Sequence, residues 1–115
     1  MSILKPTVGQ LLDRLALLAI KIVRADADVV VEHFRAERDE IVEELLGRKA
    51  GASRFNRQAE ELSGLHLKMW PLVERAEAGD ETVSAVELHR LNRRRAELRE
   101  EIDKLAGDYE GPEKV

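Results

Sequence analysis

The sequence predicts an all-α fold, an antiparallel bundle of about four helices whose last two form a hairpin. The 115-residue chain is 43% hydrophobic and 37% charged but only 3% aromatic, a balance typical of helical proteins. Apolar residues recur every three or four positions along most of the chain, which is the spacing of one helix face. Residues that cap or end helices separate four such stretches.

The first helix is predicted over residues 8–24 and opens with a capping box. In the run Thr7-Val8-Gly9-Gln10, the threonine hydroxyl can accept from a free backbone N–H while the glutamine side chain reaches back. On a helical wheel, the apolar residues of this helix cover all but one narrow arc. A helix so apolar is expected to be surrounded by other helices.

A second helix is predicted to begin at Asp26 or Asp28, since either aspartate can cap a helix. It is predicted to end at Leu46, ahead of a basic loop between two glycines. One continuous helix would leave the apolar stripes of Ile22 and Ile41 about 100° apart around its axis. A break near Asp26 is therefore expected between the first two helices.

Two further helices are predicted from seams of apolar residues that alternate by four and three positions. Ser53 is expected to cap the third helix, and Ser84 the fourth, in a second capping box with Glu87. The fourth helix is predicted to end at Gly107. The connection between these helices is so short that they must run antiparallel as a hairpin.

Length, cysteine content and charge restrict the class of protein. The chain is long enough for one domain, predicted over 1–107, with an extended tail over 108–115. The absence of cysteine excludes disulfides, thiolate metal sites and cysteine nucleophiles. The formal charge of −4 is too small to require a charged partner of either sign. The longest apolar run, Leu15–Ile20, is too short to span a membrane, so a cytoplasmic protein with no membrane contact is predicted.

Asp13 is the anomaly of the first helix, because it falls inside the apolar arc, between Leu17 and Ile20. A buried carboxylate destabilises the fold by several kcal/mol unless it is paired. Arg95 occupies a seam position of the fourth helix where leucine is expected, and Arg94 flanks it. A pair of Asp13 with Arg94 or Arg95 is predicted, since a guanidinium can hold a carboxylate with two hydrogen bonds.

This pair has two interpretations. It can be a structural ion pair that fixes helix register, or part of a polar pocket that binds an anionic ligand. A third alternative leaves Asp13 exposed or at a subunit contact.

Three motifs lie on three of the predicted helices. Residues 9–15 are Gly-Gln-Leu-Leu-Asp-Arg-Leu, followed by Lys21. Residues 69–70 are Met-Trp, with Glu74 four positions after the tryptophan. Residues 91–103 begin Leu-Asn-Arg-Arg-Arg and end Ile-Asp. Together these motifs resemble a family of small bacterial helical proteins of unknown function. The resemblance implies an all-α fold but no activity. The residues that it singles out are Asp13, Lys21, Trp70, Asn92 and Arg94.

The histidines do not indicate a metal centre. His33, His66 and His89 fall on three different helices, without the Glu-x-x-His spacing that places two ligands on one helix face. His66 interrupts the apolar seam of the third helix, where a hydrogen-bonded core histidine is the favoured interpretation. Neither a metal ion nor another cofactor is predicted.

Charged runs on the helices are interpreted as solvated faces. The pairs Glu40/Glu43 and Glu100/Asp103 have a spacing found in helical nucleotide hydrolases, but they are far apart in the sequence. The arginines between positions 90 and 99 interleave with acidic residues, unlike a stripe that follows phosphates. No nucleic-acid partner is predicted.

The favoured function is a non-enzymatic helical interaction or assembly module, because the sequence contains no catalytic signature. Leu17, Ile20 and Val23 extend the apolar arc of the first helix, and Val29 and Val30 add apolar surface to the second. A homodimer is the simplest cover for this surface, and another protein partner would serve as well. The alternative is that the second, third and fourth helices cover it.

The second function hypothesis is a small-molecule enzyme or binder with a polar pocket around Asp13 and Arg94 or Arg95. The candidate polar cluster comprises Asp13, Lys21, His66, Trp70, Glu74, Asn92, Arg94 and Arg95.

Overall fold

The structure is a computed structural model that describes residues 5–48 and 52–107. Those residues form four α-helices and one short 3₁₀ helix: α1 (Val8–Arg24), α2 (Asp28–Gly47), the 3₁₀ helix (Ala52–Phe55), α3 (Asn56–Glu77) and α4 (Ala85–Ala106). No strand occurs in the two described ranges, and the helices pack against one another. The predicted all-α bundle is confirmed, while the tail predicted over 108–115 lies outside the described residues.

Helix α1 packs against all three other helices, whereas α2 packs chiefly against α1. Two contacts show that α1 and α2 are antiparallel. Arg14 binds Glu37, with 2.6 Å between Nε and Oε2. Arg48, which follows α2, donates to the carbonyl oxygen of Pro6, which precedes α1. The end of α2 therefore lies beside the start of α1.

Helices α3 and α4 form the predicted antiparallel hairpin. Arg94 of α4 binds Glu61 of α3. Arg54, ahead of α3, donates to the carbonyl oxygen of Leu105 near the end of α4 at 2.6 Å. Both helices of this hairpin also pack on α1, so α1 is the central helix of the bundle.

The core lies where the apolar seams of the four helices meet. Its largest fully buried side chains are Phe55, Leu18, Leu62, Leu98 and Ile102. The predicted seams of α3 and α4 are largely buried but become exposed towards their C-terminal ends, at Val73 and Leu105. A seam continues along a helix, whereas burial stops where the neighbouring helix has crossed and moved away.

The apolar surplus predicted on α1 needs a correction. Ile20 is buried and Leu17 is partly buried, so these two residues belong to the packing of α1 in the bundle. Val23 is 84% exposed, as the prediction requires. Ile20 lies close to the direction of Asp13 on the helical wheel, and that side of α1 faces α3 and α4.

The boundary between α1 and α2 is close to the prediction. The Thr7 hydroxyl accepts from the Gln10 backbone N–H at 3.1 Å, and the Gln10 side chain accepts from the Thr7 N–H at 2.9 Å. The chain leaves the helix after Arg24 and re-enters at Asp28, so the predicted break is confirmed. Neither predicted aspartate caps α2, because its N-cap is Ala27, which makes no side-chain hydrogen bond.

The predicted caps of α3 and α4 also need correction. Ser53 lies within the 3₁₀ helix, and the N-cap of α3 is Phe55. Ser84 does cap α4, accepting from the Glu87 N–H at 3.1 Å. The Glu87 carboxylate binds Arg90 instead of reaching back, with 2.6 Å between Oε1 and Nη2. The charged guanidinium of Arg90, about one turn later in α4, forms a stronger hydrogen bond with this carboxylate than the neutral backbone N–H of Ser84 would.

Two glycines inside helices have opposite surroundings. Gly9 lies where α1 crosses α4, and a β-carbon there would be 2.4 Å from the carbonyl oxygen of Arg99 and 2.7 Å from Oδ1 of Asp103. A β-carbon at Gly64 in α3 would have nothing within 4 Å. Gly9 therefore permits a close approach of two backbones, whereas Gly64 weakens its helix with no such benefit.

We expect these glycines to respond oppositely to alanine. Gly64→Ala should raise the free energy of unfolding by about 0.5–1 kcal/mol, because alanine loses less backbone entropy in a helix. Gly9→Ala should lower it by about 1–3 kcal/mol, because its β-carbon overpacks the crossing of α1 and α4. Urea unfolding followed by circular dichroism measures both. A stabilising Gly9→Ala would contradict the close contact with Arg99.

Candidate functional site

A buried carboxylate, that of Asp13, joins α1 to α3 and α4. Asp13 is 3% exposed. Its Oδ1 lies 2.7 Å from His66 Nε2 and 2.9 Å from Arg95 Nε. Its Oδ2 lies 2.8 Å from Arg95 Nη2 and 3.5 Å from Arg99 Nη1. These four residues, Asp13, His66, Arg95 and Arg99, are called the Asp13 cluster below.

The structure selects between the two arginines that the sequence proposed for Asp13. Arg95 is the partner, and Arg94 is not. Arg94 binds Glu61, Glu97 and Glu101 on the outer side of the hairpin, with Nη1 3.4 Å from Glu97 and 3.3 Å from Glu101. One position along a helix turns a side chain by about 100°, which is enough to take Arg94 out of the seam.

His66 is the hydrogen-bonded core histidine that the sequence favoured. It is buried within the apolar seam of α3, and Asp13 is its partner. A charged carboxylate can only accept, so His66 donates from Nε2. The histidine therefore supplies a buried hydrogen-bond donor to the carboxylate.

Sequence reasoning missed the polar contacts one and two turns after Arg95 on α4. Arg99 reaches Asp13, and Asp103 accepts the backbone N–H of Gly9 at 2.7 Å. Gly9 and Asp13 are four residues apart on α1, as are Arg95, Arg99 and Asp103 on α4. Polar residues at this spacing on α4, opposite Asp13 and Gly9 at the same spacing on α1, were the available signal, because such residues form facing ridges when two helices pack.

Lys21 and Glu74, two predicted members of the polar cluster, lie apart from it. Lys21 places its Nζ 5.4 Å from the centre of the Phe34 ring on α2. Glu74 pairs with Arg24 at 3.4 Å on the surface between α3 and α1. Lys21 thus contributes to the contact between α1 and α2, and Glu74 to the contact between α3 and α1. Neither residue contacts Asp13.

Trp70 and Asn92 also lie outside the core of the cluster. The side chain of Trp70 is partly buried, and its indole N–H is buried with no hydrogen-bond partner among the described residues. Asn92 is exposed, and its Oδ1 lies 3.4 Å from Arg95 Nη1. Asn92 therefore reaches the edge of the cluster through Arg95.

Opposing effects act on the pKa of the Asp13 carboxyl. Burial alone would raise this pKa, because it disfavours the charged form. The hydrogen bonds from His66 and Arg95, together with the charge of Arg95, lower it, and the net pKa lies below the ordinary value. Asp13 is therefore a charged carboxylate at neutral pH.

The Asp13 cluster has the features of a structural connection. Both carboxylate oxygens are occupied by donors from this chain, so Asp13 presents neither to solvent.

Within residues 5–48 and 52–107, no three His, Asp or Glu side chains are placed to hold a metal ion. No helix in that part of the chain combines the length and apolar composition needed to cross a membrane.

Comparisons with known proteins found no relative of this chain: no family model, curated protein or solved structure matches it. Membership of the family of small bacterial helical proteins therefore stays a prediction.

We expect Asp13→Ala to lower the free energy of unfolding by about 3–5 kcal/mol, because it leaves His66 and Arg95 without their buried acceptor. Arg93→Ala is the control, since Arg93 is exposed, and should cost under about 0.5 kcal/mol. The double variant Asp13→Leu/Arg95→Leu should recover much of the loss. Thermal and urea unfolding measure all three. Equal, small losses for the two alanine variants would refute the structural role of Asp13.

The stability that Asp13 contributes should be lost in acid. Its pKa is lowered in the folded chain, so this contribution is fully present above the unfolded pKa of about 3.9 and disappears as the pH falls through the lower folded value. We expect the difference in unfolding free energy between wild type and Asp13→Asn to shrink below about pH 4. Urea titrations of both chains at stepped pH measure it. A difference that widens in acid would mean that the folded pKa is raised.

Proposed function

We propose that this chain is a non-enzymatic helical interaction module that assembles with a second copy of itself. The observation that carries the proposal is the group of large apolar side chains exposed on the outside of the described helices. The most exposed are Val23 at 84%, Val86 at 79%, Val29 at 72% and Leu46 at 71%.

The position of these side chains matters more than their number. Single exposed apolar residues are ordinary on a monomer. Here Val23, Val29 and Val30 lie within eight positions of one another, where α1 ends and α2 begins. Because α2 packs chiefly against α1, its other sides face solvent. A local concentration of exposed apolar residues is typical of protein–protein contact surfaces.

The interior of the bundle also supports an interaction module over an enzyme or a small-molecule binder. A binder that uses Asp13 itself requires an accessible carboxylate there. The carboxylate is 3% exposed and accepts from His66 and Arg95. Arg94, the other residue of that hypothesis, is held by three glutamates. The Asp13 carboxylate and the Arg94 guanidinium are thus both engaged by side chains of this chain.

We expect the wild-type chain to sediment as a dimer at micromolar concentration, since the exposed apolar surface is withdrawn from water on association. Sedimentation velocity over a concentration series should give a mass of twice 13.0 kDa at the upper end. A mass of 13.0 kDa at every concentration would refute the homodimer.

A further inference from the structure

The Asp13 cluster contains more positive than negative charge. Arg95 and Arg99 of α4 share the single carboxylate of Asp13, whose Oδ2 lies 2.8 Å from Arg95 Nη2 and 3.5 Å from Arg99 Nη1. No other carboxylate of the described residues lies within 4.0 Å of either guanidinium. By contrast, Arg94 on the same helix binds three glutamates. One positive charge of the cluster is therefore left without a counter-charge.

Asp13 uses only part of the hydrogen-bonding capacity of these two arginines. A guanidinium has five N–H donors in a planar fork. Asp13 accepts from Nε and Nη2 of Arg95 and from Nη1 of Arg99. Arg95 makes one further side-chain contact with a described residue, a long one of 3.4 Å from Nη1 to Oδ1 of Asn92. Both arginines therefore keep donors that a ligand can use.

The arginines extend from the buried carboxylate to the surface. The Arg95 side chain is 29% exposed and that of Arg99 is 36% exposed, whereas Asp13 is 3% exposed. Asn92, which is exposed, precedes Arg95 by three positions, and Arg99 follows it by four. This spacing keeps the three residues within about 60° of arc on α4. Asn92, Arg95 and Arg99 are called the α4 donor surface below.

The bundle holds these donors in place before any ligand binds. Asp13 fixes the guanidinium of Arg95 through Nε and Nη2, which restrains the whole end of that side chain. The backbone of Arg99 lies at the close crossing of α1 and α4, where Gly9 provides the space. Side chains that are already ordered lose less conformational entropy on binding. The α4 donor surface is thus better prepared for a ligand than an arginine with no such support.

We propose that the α4 donor surface binds the phosphate group of a small soluble ligand. Its uncompensated positive charge selects an anion, and arginine forks match phosphate oxygens in pairs. Donors from three side chains on one side of a helix suit an anion with several oxygens better than a carboxylate with two. The site differs from the polar pocket predicted from the sequence, because Asp13 supports the arginines and does not touch the ligand. It goes beyond the proposed function, since it requires no second copy.

The charge around the α4 donor surface favours a small ligand over a membrane. Attraction to an anionic membrane requires several basic residues across a broad surface. Here the formal charge of the chain is −4, and Glu97, Glu100 and Glu101 lie on the same helix as the two arginines. An extended anionic surface would be repelled by these carboxylates. A single phosphate group can approach the arginines alone.

The first test removes a guanidinium and measures binding of inorganic phosphate to the full chain by titration calorimetry. Wild type should bind with a dissociation constant on the order of 1 mM. Arg99→Gln should weaken binding at least about fivefold, because it removes half of the charged donors. Its fold should persist, since Arg99 is partly exposed and its contact with Asp13 is long, at 3.5 Å. Circular dichroism checks the fold.

Arg93→Gln is the matched control for this test. Arg93 is exposed on the same helix, about 120° around the axis from Arg99, so the substitution removes the same charge from another side of α4. Its dissociation constant for phosphate should stay within about twofold of wild type. Equal losses for Arg93→Gln and Arg99→Gln would mean that phosphate responds only to the overall charge, which would overturn the site.

The second test adds a carboxylate at the edge of the site. Asn92→Asp should weaken phosphate binding at least about fivefold, because the new carboxylate pairs with Arg95 and repels the ligand. Asn56→Asp makes the same exchange at the start of α3, which lies near Leu105, about 20 Å along α4 from Asn92. It should leave binding unchanged within about twofold. Stronger binding by Asn92→Asp would contradict the proposed place of the phosphate.

The third test identifies the class of ligand. Acetate at the same ionic strength should bind at least about fivefold more weakly than phosphate, since it offers fewer oxygens and less charge. Phosphatidylcholine vesicles that contain phosphatidic acid should not co-sediment with the wild-type chain. Co-sedimentation that Arg99→Gln abolishes would overturn the small soluble ligand and assign a lipid headgroup to the site.

The outcomes for this site are independent of the homodimer. A wild-type chain that binds no phosphate overturns the α4 donor surface and leaves the sedimentation result untouched. A chain that is monomeric at every concentration overturns the homodimer, whereas loss of phosphate binding in Arg99→Gln but not in Arg93→Gln would still support the α4 donor surface.

Discussion

The carboxylate of Asp13 is the constraint on which the bundle depends. A charge that is 3% exposed destabilises a fold strongly unless donors surround it. Here those donors come from α3 and α4, through His66 and Arg95. A shift of either helix by one turn would remove them. The pairing therefore restricts the register of three helices at once, which apolar contacts alone do with less precision.

A second contact beside the Asp13 cluster ties the same helices more closely. One turn before Asp13, the backbone N–H of Gly9 donates to Asp103 at 2.7 Å, and the missing side chain of Gly9 lets the backbone of Arg99 approach. An unpaired backbone N–H at a helix N-terminus needs an acceptor. Asp103 supplies one from another helix, so α1 starts in a position that α4 determines.

The distribution of contacts divides the bundle into a tightly joined part and a peripheral helix. Helices α1, α3 and α4 share the Asp13 cluster, whereas α2 is held chiefly by α1. The side-chain contacts between α1 and α2 include Arg14 with Glu37 and Lys21 over Phe34, all of them partly exposed. Surface ion pairs contribute little stability. The exposed apolar residues of α2 therefore lie on the helix that the other helices hold least.

The sequence by itself determined the helices, because their signals are local. The apolar period, the capping box at Thr7 and the phase change between Ile22 and Ile41 all act within a few turns. It also indicated that Asp13 needed a partner on α4, since a charge in an apolar arc must be paired. The tertiary structure alone decided between Arg94 and Arg95, brought in His66 and Arg99, and separated Lys21, Trp70 and Glu74 from them. Those outcomes depend on how helices cross and how far each is rotated about its axis, and the packing of whole side chains sets these quantities together.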